Sequence, residues 1–554
     1  MNKSRNNCKM IICGRGKIQK DFEYIFSDIK VDYYIIDGNF ESIEDNIRSY
    51  DELQKEDKTN TVVIVCKDSC EADIDKLVQL GWEYKKNIYS VKDYITKLDY
   101  PLFDRIENKE VIVWGTGDVS KKFVTNFESV YTGINIKFFV DNNPLKEGES
   151  FCGKKIISPL KIESFDKYFI IIAIAKINYK EVCDQLKSYN ISEDYFIYCE
   201  YLINTPSKML EITLFCEDVF DEKCGRMDNG IRIYSTGDVI PCCIAHKAIY
   251  GNILLENFND IWNSIYAKIC RLSLLNRTYS YCSVKNCLYL KCKSKRKYNE
   301  EDYQNVYNYG FLEVPKSIET DIDRSCNLHC KSCRKEIIIE KNDDYYKRYI
   351  ESIIKIVDIP SRLILNARGD IFVSDYCKEI IKSSNRIKKG TISILTNGLL
   401  FNKKNFKELF EQYESIEVSV SIDAATAKTY SELRGGGNFK ILCENLKYMS
   451  ELRKTNRITW FQINMCVQKQ NIKEMKAFID FGKSLNVDDV HLSKIQNWGT
   501  SSNEEFDDNS CFTDWKIKEE YKKYFTEDIV NDGIVSWTDI SNYLNVPVKY
   551  TYMT

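Results

Sequence analysis

Three cysteines stand close together in this chain, Cys326-Asn-Leu-His-Cys330-Lys-Ser-Cys333, at C-x3-C-x2-C spacing. They follow an apolar-alternating segment, Ile318 to Ile322, that predicts a strand. A [4Fe–4S] cluster takes four ligands, and proteins usually supply four thiolates. A loop that supplies three leaves one iron open to a small molecule. S-adenosylmethionine, with its amino and carboxylate groups, meets that need. The rival chemistry is a zinc knuckle without its fourth ligand. Zinc knuckles usually run C-x2-C and bring a second pair soon after; here no cysteine follows before Cys377. Half of the 22 cysteines lie between Cys216 and Cys333, which points to metal or clusters in that stretch. Cys66, Cys183, Cys199 and Cys443 read instead as small core residues. The only histidines are His246, His329 and His491, so histidine-based acid–base or triad chemistry is poorly supplied. His329, inside the cysteine loop, reads as packing or tuning that loop rather than ligating iron.

The elements that must position these residues follow a strand–helix alternation from Lys316 onward. Predicted strands are Ile318–Ile322, Leu363–Asn366, Thr391–Leu395, Ile416–Ile422, Phe461–Val467 and Val490–Leu492. Six strands with intervening helices predict a partial (β/α)6 barrel, an incomplete TIM barrel, with its chemistry at the C-terminal strand ends. The cysteine loop follows the first strand, as that rule requires. Upstream, an internal repeat aligns Met10-Ile-Ile-Cys-Gly14-Arg-Gly16 with Val111-Ile-Val-Trp-Gly115-Thr-Gly117. Tyr33–Asp37 then aligns with Lys137–Asp141, and Val62 onward with Ile170 onward. Each copy reads as half of a doubly wound, Rossmann-like α/β fold. Its Gly-x-Gly turn places a helix N-terminus where phosphate could bind. The third glycine of a dinucleotide fingerprint is replaced by Gln19 and Ser120. The expected divisions are 1–99 and 100–203 for the two Rossmann-like units, 204–305 for a cysteine-rich module, 306–500 for the barrel and 501–554 for a C-terminal tail without assigned role.

The cysteine loop resembles the signature of the radical S-adenosylmethionine (radical SAM) enzymes, and the order of elements after it strengthens the likeness. Gly369-Asp370 looks like the family's Gly-Gly-Glu element, which binds the methionyl amine; Arg368 replaces its first glycine and Asp370 its acid. Thr396-Asn397-Gly398 resembles the family's Thr-Asn-Gly turn, where Asn397 orients backbone. Ser421 and Asp423 alternate to one side of the fourth strand, where they would meet ribose or the methionyl group. Arg434 resembles the arginine that pairs with the methionyl carboxylate, a task suited to a bidentate guanidinium. The upstream segment is similar to a SPASM or twitch module. There Cys224, Cys242, Cys282 and Cys287 would hold an auxiliary [4Fe–4S] cluster, or in the plainer reading a structural zinc ion. Cys216, Cys243, Cys270 and Cys292 remain for a second one. In most relatives this module follows the barrel; here it precedes it. The second N-terminal unit resembles Rossmann-like domains appended to sugar-modifying and glycosyl-transferring enzymes.

The resemblance implies reductive cleavage of S-adenosylmethionine to a 5′-deoxyadenosyl radical that takes a substrate hydrogen, an oxidoreductase- or isomerase-type C–H chemistry. The electron would come from a donor such as flavodoxin or ferredoxin. A sugar or glycan substrate and a peptide or protein one both stay open, beside a non-catalytic iron–sulfur or zinc scaffold. Cys466 on the fifth strand could donate a hydrogen but reads as a core thiol. With 79 basic and 82 acidic side chains the formal charge is −3, which offers no reason to expect nucleic acid or an anionic membrane as partner. No apolar run reaches a membrane-spanning length, and the start of the chain does not read as a signal peptide. A cytoplasmic location is the expectation.

Overall fold

The structure, a computed structural model, describes residues 8–36, 46–99, 105–106, 109–130, 135–174, 178–216, 218–221, 224, 230–242, 249–283, 287, 290, 295–297, 313–341, 344–497, 500–513, 516–537 and 544. It forms two compact units. One is Met1–Val219 with Lys268–Ser280 and Lys295–Tyr309; the other is Phe220–Ala267, Tyr281–Ser294 and Gly310–Thr554. The cysteine-rich segment expected as one module is thus divided between them. Of the four expected auxiliary ligands, Cys224, Cys242, Cys282 and Cys287 all fall in the second unit.

The first unit holds two sheets. In the first, five parallel strands run in the order Ile47–Arg48, Tyr33–Ile35, Lys9–Cys13, Thr61–Val65, Ile88–Ser90. In the second, the order is Phe196–Tyr198, Tyr168–Ile172, Glu110–Trp114, Ile136–Val140, Lys154–Ile157, with Ser150–Phe151 antiparallel at the edge. The central strands, rich in Val and Ile, are buried, as parallel strands covered on both faces must be. The repeat is visible at the turns. The Gly14 N–H donates to Ile35 O at 2.9 Å, and the Gly115 N–H to Val140 O at 2.7 Å. Both glycines hold positive φ, and an added Cβ would lie 3.0 Å from Cys66 O and 2.5 Å from Ala173 O, the equivalent strand ends. Only glycine meets both conditions. Asp37 lies outside the described residues. Its counterpart Asp141 accepts a hydrogen bond from the Thr116 hydroxyl and pairs with Lys146 at 3.0 Å.

The second unit is built on one sheet of ten strands. Parallel strands Ser317–Asp321, Arg362–Asn366, Thr391–Thr396, Ser415–Ser421, Trp460–Val467 and Asp489–Lys494 pair in sequence order. Val535–Trp537 adds a seventh parallel strand beside Asp489–Lys494, so the tail does have a structural task. On the other side Gly230–Ile233 pairs in parallel with Ser317–Asp321, and Asp238–Ile240 and Gly251–Asn252 continue antiparallel. The cysteine-rich segment upstream of the barrel is therefore hydrogen-bonded directly onto the barrel's first strand.

Alternation decides which face does what. Val420 lies against Leu442 and Met449 of the helix Phe439–Lys454, around Gly398. Val490 and Ile463 lie against Gly482 of the helix Met475–Ser484. The helices thus cover the face of Ile416, Val418, Val420, Ile463 and Val490, all buried. The opposite face is mainly polar, with Arg232, Glu319, Asp321, Arg362, Ser393, Glu417, Ser419, Gln462, Asn464, Asp489, His491 and Ser536, interrupted by Ile364, Leu395 and Trp460. A filled TIM barrel would place branched apolar side chains there. Here many of the groups pair with one another. Arg232 reaches Glu319 at 3.0 Å, and Arg362 holds Glu417. Asn464 donates to Ser419 at 2.7 Å, and Ser536 links His491 at 2.9 Å to Asp489 at 2.8 Å.

Candidate functional site

The cysteine loop starts where the first parallel strand ends, and three neighbours hold it. The second strand contributes its following turn, where Gly369 packs so tightly that an added Cβ would lie 2.0 Å from Ser325 O. Asp370 donates its N–H to the same oxygen at 2.7 Å. The extended segment around Ile338 contributes a backbone bridge, Cys326 N–H to Ile338 O at 2.8 Å. The third neighbour is the turn after the helix Ala427–Leu433. Gly435 O accepts from the His329 N–H at 3.0 Å, and the His329 ring fills the space where Cβ atoms on Gly435 and Gly436 would stand. His329 packs the loop against this glycine turn.

Cys326 and Cys330 are buried, and Cys333 is exposed. Burial pushes the Cys326 thiol up to about 11 and raises that of Cys330 too. Cations and amides stand ready to offset negative charge at these sulfurs. Arg434 Nη1 lies 3.7 Å from Cys330 Sγ, Arg334 Nη2 3.5 Å from Cys333 Sγ, and Asn397 Nδ2 3.8 Å from Cys326 Sγ. Two further buried donors, Arg434 Nε and the Tyr430 hydroxyl, make no hydrogen bond within the protein among the described residues. Unspent donors beside three thiols suit an anionic cluster with acceptor sulfides. Among the described residues no three His, Cys, Asp or Glu side chains converge tightly enough for a single metal ion. A four-iron cluster takes one thiolate per iron and asks for no such convergence.

The residues that the resemblance singled out are already tied into the protein. Asp370 is fully buried, and its oxygens are occupied within the protein. Oδ2 accepts from Thr396 Oγ1 and from the Asn397 N–H, both at 2.7 Å, and Oδ1 from the Phe372 N–H at 3.0 Å. Burial raises its pKa. Asp370 thus ties the second strand's turn to the third, and Gly369 is needed for close backbone approach. Asn397 donates to Asn327 Oδ1 at 2.9 Å and accepts from the Leu399 N–H at 3.0 Å. Asp423 adopts φ 65° and pairs with Arg434 Nη2 at 2.8 Å, while its other oxygen accepts the Cys466 N–H at 2.8 Å. Arg434 is thus held by Asp423 and Cys330 before any carboxylate arrives. Ser421 is half-buried on the polar face, in register with Asn464. Cys466 is not a core thiol: it shares that face, 3.7 Å from Ser493 Oγ.

Arg334 and Asn327 were not expected from the sequence. An arginine immediately after the last cysteine was the available signal. Of the auxiliary ligands, Cys224, Cys242, Cys282 and Cys287 are each half-buried. Burial raises the Cys282 thiol, and Cys287 and Cys224 lie close enough to raise it further. Cys242 lies two residues after the hairpin strand Asp238–Ile240. Cys270, in the helix Ile265–Leu275, is buried. Cys243 and Cys292 lie outside the described residues.

Residues 322–482 match the family model of the Radical SAM superfamily, and residues 224–288 match that of SPASM, an iron-sulfur cluster-binding domain. The chain carries a radical SAM domain and a SPASM domain. Its radical SAM domain implies S-adenosylmethionine and a [4Fe–4S] cluster, and its SPASM domain implies auxiliary iron–sulfur clusters. Residues 107–197 match a third family model, "C2185-like, N-terminal". The radical SAM protein is 23% identical over 174 residues to a probable GTP 3′,8-cyclase of Saccharolobus islandicus, covering 31% of this chain and 54% of the cyclase. It is 27% identical over 192 residues to an AdoMet-dependent heme synthase of Methanosarcina barkeri, covering 33% and 51%. The matches thus span about half the length of these relatives. Among solved structures, Streptococcus suis SuiB bound to S-adenosylmethionine shares 15% identity at a TM-score of 0.27, over 51% of this chain and 65% of that one. No helix among the described residues is long and apolar enough to cross a membrane.

Proposed function

We propose that this radical SAM protein is an enzyme that cleaves S-adenosylmethionine reductively and takes a hydrogen from a polar substrate, a peptide or a glycan. The observation that carries the reading is the cysteine loop with Arg434, Arg334, Asn397 and the unspent Tyr430 hydroxyl arranged around its thiols. When bound at Cys326, Cys330 and Cys333, a [4Fe–4S] cluster supplies the electron that yields a 5′-deoxyadenosyl radical. The protein's own work is to hold and shield that chemistry. Arg434 offsets thiolate charge and stays charged through Asp423. Asn397 and Gly369 fix the loop, and Ser421 with Asp423 offers hydroxyl and carboxylate at the strand end. Cys224, Cys242, Cys282 and Cys287 would hold an auxiliary cluster, with Cys242 two residues after the strand Asp238–Ile240 that extends the barrel sheet.

The polar sheet face favours a substrate with many hydrogen-bonding groups. The two relatives are named for different products, so what they share with this chain supports the S-adenosylmethionine step rather than a substrate. Within the proposal a peptide is favoured by the SPASM module. A sugar or nucleotide-sugar is favoured by the Gly14 and Gly115 turns, read as Rossmann-like. Anaerobic protein with dithionite and S-adenosylmethionine should form 5′-deoxyadenosine. The variant with Cys326, Cys330 and Cys333 all changed to Ala should form none while keeping the auxiliary iron. If the parent protein with its full iron complement makes no 5′-deoxyadenosine, the proposal fails.

A further inference from the structure

We propose that the cavity at the carboxyl ends of strands Lys9–Cys13 and Thr61–Val65 binds a nucleoside diphosphate, free or as its sugar ester. The inference deepens the nucleotide-sugar reading of the Gly14 turn and rests on it. Its residues lie outside the cysteine loop, so it stands or falls separately from the S-adenosylmethionine step. The cavity holds about 410 Å³, within the range of small-molecule sites. Strand order sets its place. Lys9–Cys13 lies between Tyr33–Ile35 and Thr61–Val65, so the chain leaves it toward one side and comes back on the other. Open parallel sheets take ligands at such a reversal, outside the carboxyl ends of the strands.

Two turns build one side of the cavity, Arg15 to Ile18 after the first of these strands and Cys66 to Asp68 after the second. Leu214 to Cys216 and Lys297 close it, all within the same compact unit. The Gly14 turn supplies donors. Gly14 and Gly16 hold φ 107° and 135°, and no side chain caps the helix Lys17–Ile25 that follows. Gln19 Oε1 accepts only the Gly16 N–H, at 3.3 Å. First-turn N–H groups of a helix have no intrahelical acceptor, and a phosphate satisfies them. Arg15 is exposed beside them, and a guanidinium binds phosphate with two hydrogen bonds. Ile18, Leu214 and Phe215 supply apolar wall for the flat face of a base.

Charge limits how much of the ligand is anionic. The wall carries Arg15, Lys17, Lys67 and Lys297 against Asp68. Behind it stand the acids that these cations already meet. Lys17 pairs with Asp21 at 2.9 Å and gives its other N–H groups to Thr213 O and Leu214 O, both at 2.8 Å. Lys67 pairs with Asp73 at 2.7 Å and Lys297 with Asp218 at 3.2 Å. Glu23 adds one more acid, accepting from Gln19 and Tyr34. With these counted the surroundings are close to neutral, so the cavity is no sink for small anions in general. It fits a ligand charged at one end and neutral along the rest, as a nucleoside diphosphate or a nucleotide sugar is. The second sheet's corresponding turn lacks the cations: Thr116 and Asp118 stand where the first has Arg15 and Lys17.

The test uses the full-length, iron-loaded protein, saturated with S-adenosylmethionine so that its own nucleoside site is taken. Titration calorimetry with UDP, GDP, ADP and CDP should show at least one of them binding at one per chain. The matching nucleoside alone and inorganic phosphate alone should each bind at least about tenfold more weakly. Arg15→Ala should weaken the diphosphate about tenfold, the loss of a charged hydrogen-bond partner. Lys297→Ala changes an exposed side chain and spares the fold; it should weaken binding about threefold. Lys121→Glu, exposed on the second sheet's helix Asp118–Val130, should leave binding unchanged. A parent that binds none of the four diphosphates overturns the proposal. Affinity unchanged in both Arg15→Ala and Lys297→Ala, or lost in Lys121→Glu, places the ligand elsewhere and overturns it too. Inorganic phosphate binding as tightly as the diphosphate reduces the cavity to an anion site, which also overturns it. Formation of 5′-deoxyadenosine, assayed on the same protein without nucleotide, reports separately on the cluster reading.

Discussion

Gly369→Ala is the sharpest test of how the cysteine loop is held. Gly369 does not sit in the left-handed region, so its requirement is purely steric. The new methyl would lie 2.0 Å from Ser325 O, 2.6 Å from Ser325 C and 2.8 Å from the Arg324 carbonyl carbon. These are backbone atoms of the residues entering the loop and cannot rotate away as a side-chain tip can. Relieving the contact requires moving one backbone against the other by about 1 Å or more. Overpacking of this kind costs about 1–3 kcal/mol and occasionally more. The shift also strains the 2.7 Å bond from Asp370 N–H to Ser325 O. The expected result has two parts. The variant should lose about 2–4 °C in melting temperature, the scale of a kcal-sized loss in a large domain. After anaerobic reconstitution it should also lack the iron of the loop site while keeping the auxiliary iron. Gly533→Ala is the control, because an added Cβ there meets nothing within 4 Å. If Gly369→Ala binds the full complement of iron with an unchanged melting temperature, the argument that this contact sets the loop is wrong.

Other consequences can be measured by equilibrium unfolding. Asp370→Asn turns an NH2 toward donors that now bond a carboxylate, so it should cost about 1–3 kcal/mol as a stability loss. Arg434→Met leaves Asp423 buried without its partner and should cost about 3–5 kcal/mol. Adding Asp423→Asn, which tolerates φ 65°, should recover part of that loss. Burial lowers the His491 pKa from 6.5 to about 4, so the unfolded ring binds a proton before the folded one does. Stability is then full above pH 6.5 and falls toward pH 4 by on the order of 3 kcal/mol. His491→Gln should flatten that portion of the pH curve, and an unchanged slope would refute the assignment.

Much of the chemistry was legible because it is local. The cysteine spacing, the strand before it, the Thr396-Asn397-Gly398 turn and the Gly-x-Gly repeat each lie within a few residues, and side-chain alternation marks the strands. The helix-facing residues of the barrel sheet were readable for the same reason, since burial of one face imposes a period of two. Arg334 had a weak signal in its position after Cys333, but nothing in the sequence says that its guanidinium reaches both that sulfur and the carbonyl of Arg368.

Tertiary structure decided the rest, because it depends on which groups meet across large separations in sequence. An aspartate at a strand end reads as a ligand acid; only the arrival of Thr396 and Asn397 at its oxygens turns Asp370 into a structural tie. A hairpin upstream of the barrel has no local reason to choose a neighbour. Its place follows from parallel pairing of Gly230–Ile233 with Ser317–Asp321 and from Arg232 meeting Glu319. The three residues Val535–Trp537 are too short to stand out as a strand, and they become one by completing the exposed edge of Asp489–Lys494. The sequence by itself determined that three thiols would share one loop at the end of a strand. The fold decided which charges surround them, because charges separated by about a hundred residues are brought together only when the sheet closes the distance.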